Sequence, residues 1–286
     1  MTLGELIDRA QARLAASKVF FGHGTDNPRD EAAWLVLRGL GLPFDADLQK
    51  PVTDTEAQRT EALLEKRIDE RIPVAYLLKE AWLDGQPFYV DERVIVPRSH
   101  IAGLLHEKWL ARHAARKVLD LCTGSGCLAI LAALAFRAAE VDASDLSPAA
   151  LAIARKNVAR YRLGARVRVR ASDLFGSLRG ERYDLIVSNP PYVSAAAMLT
   201  LPTEYRREPR LALAGGKDGL DLVARMLAQV DEHLEPGGML VCEIGDGKPA
   251  MHKRFPRLRL TWPRPEVFVY RKPATRAARG KPAPVP

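Results

Sequence analysis

The segment KVLDLCTGSGCLAIL, residues 117–131, passes from an apolar stretch through a glycine-containing turn into a second apolar stretch. The first part predicts a buried strand and the residues from Leu128 onward predict a helix, so the glycines lie in a strand-to-helix turn. Glycines two positions apart, Gly124 and Gly126, let the backbone approach a ligand closely. The dinucleotide fingerprint has a third glycine where this chain has Ala129, a place that tolerates alanine, and the spacing alone is a weak signal.

Beyond this turn, short apolar stretches alternate with amphipathic stretches along the chain. Such alternation is typical of a parallel sheet covered by helices on both faces, so we predict an α/β fold. The last two strands are expected to close the sheet around a proline-containing turn. The predicted strands are 118–121, 139–143, 167–169, 183–187, 239–244, 258–262 and 267–270, and the helices that follow the first one are 148–161 and 220–233.

The N-terminal part of the chain has a different, helical pattern. Apolar residues recur at helical spacing over 3–14, 30–40 and 55–68. The predicted organisation is a small helical substrate-recognition domain, a β-hairpin linker with strands at 88–90 and 94–96, a catalytic domain and a basic tail. These parts are residues 1–80, 81–98, 99–272 and 273–286.

The net charge of +8 is concentrated at the C-terminal end, since five of the eight charges fall in residues 271–286. This proline-rich tail is predicted to be disordered, and it either contacts RNA or an acidic surface or is solvated without a role. No apolar run approaches the roughly 18 residues of a membrane span, and the first residues lack a signal-peptide pattern. A cytoplasmic protein without a membrane partner is expected. The three cysteines lack metal-ligand spacing, which predicts free thiols and no metal site.

Acidic residues are expected at the ends of three successive strands. Asp120 begins the glycine turn, where a carboxylate would repel a pyrophosphate but suits an ammonium or a sulfonium. Asp145 is placed to accept both ribose hydroxyls, and Asp173 with Leu174 to bind the adenine edge, although a helix cap or turn explains each acid singly. These strand ends meet at one edge of the sheet, so one ligand that is both cationic and nucleoside-bearing is expected there. S-adenosylmethionine has both properties and is the predicted cofactor. The predicted cofactor-binding residues are Asp120, Cys122, Thr123, Gly124, Ser125, Gly126, Asp145, Asp173, Leu174 and Asn189.

The tetrapeptide Asn189-Pro190-Pro191-Tyr192 follows the fourth predicted strand. Its two prolines remove two N–H donors, so the turn presents mainly acceptors. A flat group with two N–H bonds, an amide or an aromatic amine, fits between the Asn189 side-chain oxygen, the Pro190 carbonyl and the Tyr192 ring. An ordinary proline turn is the alternative. The tetrapeptide is the predicted substrate-binding site, and Asn189, Pro190 and Tyr192 are its predicted catalytic residues.

Together these motifs resemble the HemK-type protein-glutamine methyltransferases, over about residues 21–270. The glycine turn, Asp145, Asp173 and the tetrapeptide carry the resemblance. The segments 22–27, 30–32, 90–94, 97–99 and 122–127 are most similar to the branch that acts on ribosomal protein L3. The resemblance implies a class I methyltransferase fold, Rossmann-like with a mostly parallel seven-stranded sheet. It also implies S-adenosylmethionine-dependent methylation of a glutamine side-chain amide in L3, free or in a large-subunit precursor, and leaves a contact with ribosomal RNA open.

Three other functions remain open on the sequence. In the first, the target glutamine belongs to a release factor. In the second, the acceptor turn receives a flipped adenine of a nucleic acid. In the third, the chain is a non-catalytic ribosome-assembly module. The mildly basic body and the intact site motifs disfavour the last two. Two further features stay ambiguous: Glu243 either lines the site or pairs with a cation, and Arg166, Arg168 and Arg170 form either a phosphate-binding stripe or a charged edge strand.

Overall fold

The protein is described by a computed structural model that covers residues 1–274, so residues 275–286 of the predicted tail lie outside the described residues. Its N-terminal helices are α1 (Leu3–Ala16), α2 (Pro28–Gly39), α3 (Asp54–Asp69) and α4 (Val74–Leu78), as the periodicity predicts. Capping boxes begin α1 and α3, where Thr2 and Thr53 each exchange hydrogen bonds with a glutamate three residues later. The apolar faces of these helices share one core around Trp34.

The linker hairpin lies earlier in the chain than predicted. Strands β1 (Ala81–Leu83) and β2 (Gln86–Phe88) pair antiparallel. The predicted strands at 88–90 and 94–96 were wrong, because the backbone there bonds to side chains instead of to another strand. The Tyr89 N–H donates to Asn157 Oδ1 over 2.8 Å, and the Val96 N–H donates to Glu208 Oε1 over 2.8 Å.

A mixed sheet with a mostly parallel core follows two short helices, α5 (Ile101–Leu104) and α6 (Lys108–Ala111). Its strands are β3 (Lys117–Leu121), β4 (Glu140–Asp145), β5 (Val167–Ala171), β6 (Tyr183–Ser188), β7 (Leu234–Glu243), β8 (Thr261–Arg264) and β9 (Val267–Arg271). Its helices are α7 (Cys127–Ala135), α8 (Pro148–Arg160), α9 (Ala195–Thr200), α10 (Asp221–Leu227), α11 (Val230–His233) and α12 (Lys248–Arg254). Within residues 1–274, seven strands form this sheet in the order β5-β4-β3-β6-β7-β9-β8.

The predicted α/β fold is confirmed, with two local corrections. The five strands that lie side by side in the order β5, β4, β3, β6 and β7 pair in parallel. Strand β9 runs antiparallel to both of its neighbours, β7 and β8. The helix predicted over 220–233 is divided between α10 and α11, and the strand predicted from residue 258 begins at Thr261. In the part of the chain that the structure describes, no helix has the length and apolarity to cross a membrane.

The strand order places two turns side by side. The chain moves outward from β3 to β4 and β5, then returns to pair β6 with the other side of β3. Ligands of open α/β sheets bind at the carboxyl ends of the strands where the order reverses in this way. The glycine turn leaves β3 and the tetrapeptide leaves β6, so both lie at this position.

Strand β5 forms an edge of the sheet, which agrees with the edge-strand interpretation of its arginines. Arg168 and Arg170 lie 3.0 and 3.6 Å from carboxylate oxygens of the buried Asp142 on β4. Arg166 donates to the Ala133 carbonyl near the end of α7 over 2.9 Å. These arginines are bound to the protein itself, so the alternative of a phosphate-binding stripe is not supported.

Candidate active site

A cavity of about 400 Å³, here called the turn cavity, lies at the carboxyl edge of the sheet. It is lined by the ends of β3, β4 and β6, by the segment after β5, and by parts of 93–99 and 209–216. Nine of the predicted site residues line this cavity: Cys122, Thr123, Gly124, Ser125, Asp145, Asp173, Leu174, Asn189 and Pro191. The structure therefore brings four separate parts of the sequence, at or after the ends of β3, β4, β5 and β6, together at one cavity.

Asp120 lies behind the glycine turn and does not line either cavity described here. Its side chain is 1% exposed, and Oδ2 accepts hydrogen bonds from the Thr123 hydroxyl at 2.5 Å and the Ala129 N–H at 2.9 Å. Burial raises the pKa of Asp120 to about 7. Through Oδ2 the carboxyl joins the turn to the first residues of α7, while Oδ1 is buried without a partner among residues 1–274. A contact between Asp120 and a ligand cation stays a prediction.

Asp145 ends β4 and faces the turn cavity. Its Oδ2 accepts from the Gly124 N–H and its Oδ1 from the Ser147 N–H, at 2.9 and 2.8 Å. Burial raises the pKa of this carboxyl, while the backbone donors act in the opposite direction. Each oxygen keeps a second lone pair, so the carboxylate is fixed in place with acceptor capacity left for two hydroxyls.

Asp173 forms a salt bridge that the sequence did not reveal. Its two oxygens accept from Arg225 Nη2 at 2.9 and 2.8 Å, and about half of each side chain is exposed. Both residues line the turn cavity. In this structure the partner of Asp173 is Arg225, and a contact between Asp173 and an adenine ring remains a prediction.

Asn157 supports the glycine turn from α8, a role that sequence reasoning missed. The side chain is fully buried and donates to the carbonyls of Ser125 and Tyr89, each over 2.9 Å. At Gly126, with φ of +82°, an added Cβ would lie 3.2 Å from Ala154 of the same helix. The only signal in the sequence was one amide residue on an otherwise apolar face of the predicted helix.

The Asn189 side chain lies between the turn cavity and a second cavity of about 380 Å³, here called the NPPY cavity. Its Oδ1 is buried and has no hydrogen-bond partner among residues 1–274. Pro190 and Tyr192 also line the NPPY cavity. The acceptor turn therefore borders both cavities, with Asn189 in the wall of each.

Tyr192 is held by Gly245 and Glu243. An added Cβ at Gly245 would lie 2.8 Å from the Tyr192 ring, and the Tyr192 hydroxyl lies 3.4 Å from Glu243 Oε1. Glu243 Oε2 accepts from the Ser99 hydroxyl and the His100 N–H, at 2.6 and 2.9 Å. Burial raises the pKa values of both Tyr192 and Glu243. Glu243 thus fixes the tyrosine and the two residues that follow the linker, and it forms no salt bridge with a cation in the described part of the chain.

The segment after the tetrapeptide, residues 194–215, contains two buried glutamates. Glu208 accepts two hydrogen bonds from Arg98, at 2.7 and 2.6 Å, and lies 3.8 Å from His23. Burial alone would raise the pKa of Glu208, but the hydrogen bonds from Arg98 and the nearby His23 ring lower it to about 2. The carboxylate is therefore charged, and it fastens this segment to the linker and to the N-terminal part.

Relatives of this chain were found over nearly its whole length. A ribosomal protein uL3 glutamine methyltransferase of Bordetella pertussis is 51% identical over 91% of this chain and 90% of the relative. The chain belongs to the uL3 glutamine methyltransferase family. A second member, from Burkholderia pseudomallei, is 46% identical over 91% of this chain and 90% of its own length.

Two domain families and one solved structure also match this chain. The PrmC N-terminal domain matches residues 5–78, and the Methyltransferase small domain matches residues 102–203. The hMettl16 catalytic domain, crystallised with an RNA hairpin, superposes with a TM-score of 0.51 at 16% identity. The superposition covers 81% of this chain and 87% of that one, and it supports the fold alone.

The methyl donor of this class of enzyme is S-adenosylmethionine, and the turn cavity fits it. The fit rests on a backbone turn that lies against the cavity at Gly124 without a side chain, and on the oriented carboxylate of Asp145. In the described residues, no group of three or more His, Cys, Asp or Glu is arranged to hold a metal ion. That Asp145 binds the ribose, and that the glycine turn binds the methionine part, are predictions.

Replacing Asp145 with asparagine is expected to weaken S-adenosylmethionine binding about tenfold. The change removes one charged acceptor, and hydrogen bonds to charged groups contribute roughly 1.5–3 kcal/mol. Isothermal titration calorimetry measures the effect directly. Asp45→Asn, at an exposed aspartate outside the cavity walls, is the matched control and should bind like the wild type. Equal affinities for the two variants would remove Asp145 from the cofactor site.

Proposed function

We propose that this protein transfers a methyl group from S-adenosylmethionine to the side-chain amide nitrogen of a glutamine in ribosomal protein uL3. The observation that carries the proposal is Asn189 Oδ1, a buried acceptor without a partner among the described residues, at the junction of the two cavities. Leaving such an acceptor unsatisfied costs about 1–3 kcal/mol. A donor bound in the NPPY cavity, such as an amide N–H, removes that cost.

The reaction demands that a weak nucleophile be activated and oriented. An amide nitrogen is weakly nucleophilic because its lone pair is delocalised into the carbonyl group. When bound, S-adenosylmethionine would supply an electrophilic methyl group and leave as S-adenosylhomocysteine, whose sulfur keeps the electron pair of the broken S–CH3 bond. The amide nitrogen then loses one of its two protons to solvent after the transfer. Asn189 Oδ1 and the Pro190 carbonyl accept the two amide N–H bonds, which become more acidic as the nitrogen gains a fourth substituent. These acceptors therefore stabilise the transition state more than the ground state.

Tyr192 restricts where the amide can lie. Gly245 and Glu243 fix the ring from two sides, so it covers the plane of a bound amide and keeps water from it. Holding the nitrogen in line with the methyl group supplies much of the remaining acceleration, as well-oriented intramolecular reactions do. Asn189, Pro190 and Tyr192 are the residues to which we assign catalysis.

The names of the relatives support uL3 as the substrate over a release factor, since relatives 46–51% identical to this chain carry the uL3 name. The superposition on an RNA-bound catalytic domain, at 16% identity, does not extend to substrate and gives no support to an adenine target. We include in the proposal both free uL3 and uL3 in a large-subunit precursor, where ribosomal RNA lies near the modified protein.

Transfer of labelled methyl groups tests the proposal. The purified protein, S-adenosylmethionine and uL3 from a strain that lacks this gene should yield one methylated glutamine in uL3, identified by mass spectrometry of the peptide. Free uL3 and large-subunit precursors are assayed side by side, and release factor and total RNA serve as competing acceptors. Methylation of either competitor in preference to both uL3 forms would contradict the proposal.

A further inference from the structure

The NPPY cavity is larger than a glutamine amide requires. Its volume of about 380 Å³ falls within the roughly 300–1,000 Å³ of pockets that hold whole small molecules. Asn189 and Pro190 occupy only one part of its wall. The remainder is mainly apolar and comes from Val193, the N-terminal part, the linker and the segment 194–215, with Phe20, Ile95, Leu201, Tyr205 and Leu213 among its residues.

The charged residues on this wall leave one negative charge unbalanced. Arg98 is bound by Glu208 through two hydrogen bonds, and its guanidinium lies 5.1 Å from the centre of the Tyr205 ring. Asp246 is exposed and forms no hydrogen bond or salt bridge within residues 1–274. The nearby Lys248 does not compensate it closely, because its ammonium lies over the Trp262 ring at 4.8 Å.

An apolar wall that ends in a single carboxylate complements a long cationic side chain. Lysine and arginine pack their aliphatic stems on apolar surface while the charged head remains at the rim. An acidic residue or a phosphate group would be repelled by Asp246, and an apolar residue would partly desolvate this carboxylate without pairing it. Charge complementarity therefore favours one class of occupant.

We propose that the NPPY cavity binds, beside the target glutamine, a lysine or arginine side chain of the uL3 segment, whose charged group pairs with Asp246. This inference rests on the proposed function and adds a specificity determinant to it. The aliphatic part of the basic side chain lies against the apolar wall, with Phe20 and Leu201 among its contacts. Asp246 touches the substrate away from the reacting nitrogen, so it affects binding and leaves the chemical step unchanged.

Steady-state kinetics with full-length uL3 test this subsite. Asp246→Asn should raise KM for uL3 about two- to fivefold at low salt with kcat unchanged, as expected for a partly exposed ion pair. The increase should disappear at high ionic strength, where the pair is screened. Asp45→Asn is the matched control and should behave like the wild type. An Asp246→Asn enzyme that equals this control at low salt would overturn the subsite.

A charge exchange identifies the partner. Lysines and arginines near the methylated glutamine are changed one at a time to glutamate, and each uL3 variant is assayed with wild-type enzyme and with Asp246→Lys. At one position the glutamate should raise KM with the wild type and lower it with Asp246→Lys. Absence of such a position overturns the subsite while methylation of uL3 continues. If wild-type enzyme methylates no form of uL3, the proposed function itself fails, so the two failures are distinguishable.

Discussion

Replacing Asn189 with alanine should lower kcat for methyl transfer by roughly 10²- to 10³-fold, the usual effect of removing one preorganised polar partner of a transition state. The reason is geometric, since Oδ1 is the buried, unpartnered acceptor at the junction of the turn and NPPY cavities within the described chain. KM for uL3 should change much less than kcat, because the hydrogen bond to Oδ1 becomes strong mainly in the transition state, as the amide N–H becomes acidic.

Single-turnover transfer with saturating S-adenosylmethionine measures this effect without interference from product release. Asn27→Ala makes the same chemical change at a helix N-cap, where Asn27 Oδ1 accepts the Asp30 N–H at 2.9 Å. That control should lose about 1 kcal/mol of stability and keep its rate. If Asn189→Ala slows transfer by less than fivefold, Asn189 does not carry the chemistry, and the Pro190 carbonyl becomes the principal acceptor to examine.

The sheet and the cavity walls were predicted from short sequence patterns, each of which has one dominant effect on the local backbone. Glycine spacing after a buried strand predicted the turn at 124 and 126, and two prolines in succession predicted the acceptor turn at Asn189. Parallel strands placed these turns at one edge, so a single topological rule located most of the turn cavity. Each of these inferences needs only short-range sequence and the expected sheet.

The errors and omissions arise from contacts between distant parts of the sequence. Asp120 was expected to meet a ligand cation, and the sequence did not reveal that its Oδ2 also accepts from the Thr123 hydroxyl and from the Ala129 N–H in α7. Asn157 and Glu208 accept hydrogen bonds from N–H groups of the linker, so these groups do not pair with another strand as predicted for 88–90 and 94–96. Pairings 68 and 112 residues apart leave no periodic signal in the sequence.

A second buried ion network, around Arg67, joins the N-terminal helices to the segment that walls the NPPY cavity. Arg67 is 1% exposed and donates to Glu31 Oε1 at 2.7 Å and Glu204 Oε1 at 3.2 Å. A third hydrogen bond reaches the Phe20 carbonyl at 2.8 Å. Burial would raise the pKa of Glu204, but the hydrogen bonds from the Phe20 N–H and Arg67 lower it, so Glu204 is charged.

Changing Arg67 to methionine is therefore expected to lower the free energy of unfolding by about 3–5 kcal/mol, since it leaves buried carboxylates without their principal cation. Urea unfolding monitored by fluorescence and by circular dichroism measures the loss. Arg9→Met is the matched control: Arg9 pairs with Glu61 at 3.4 Å with 59% of its side chain exposed, and such pairs contribute about 0–1 kcal/mol. Similar losses for both variants would contradict the assignment.

Neutralising the acids separates lost packing from unpaired charge. If unpaired charge is the cause, adding Glu31→Gln and Glu204→Gln to Arg67→Met should restore much of the lost stability, because amides tolerate burial without a cation. No recovery would show that the guanidinium acts mainly by filling space.

Glu204 and Tyr205 adjoin each other, and Tyr205 lines the NPPY cavity. The single variant should consequently raise KM for uL3 while leaving S-adenosylmethionine affinity unchanged, which makes the N-terminal helices a support for the substrate side of the site.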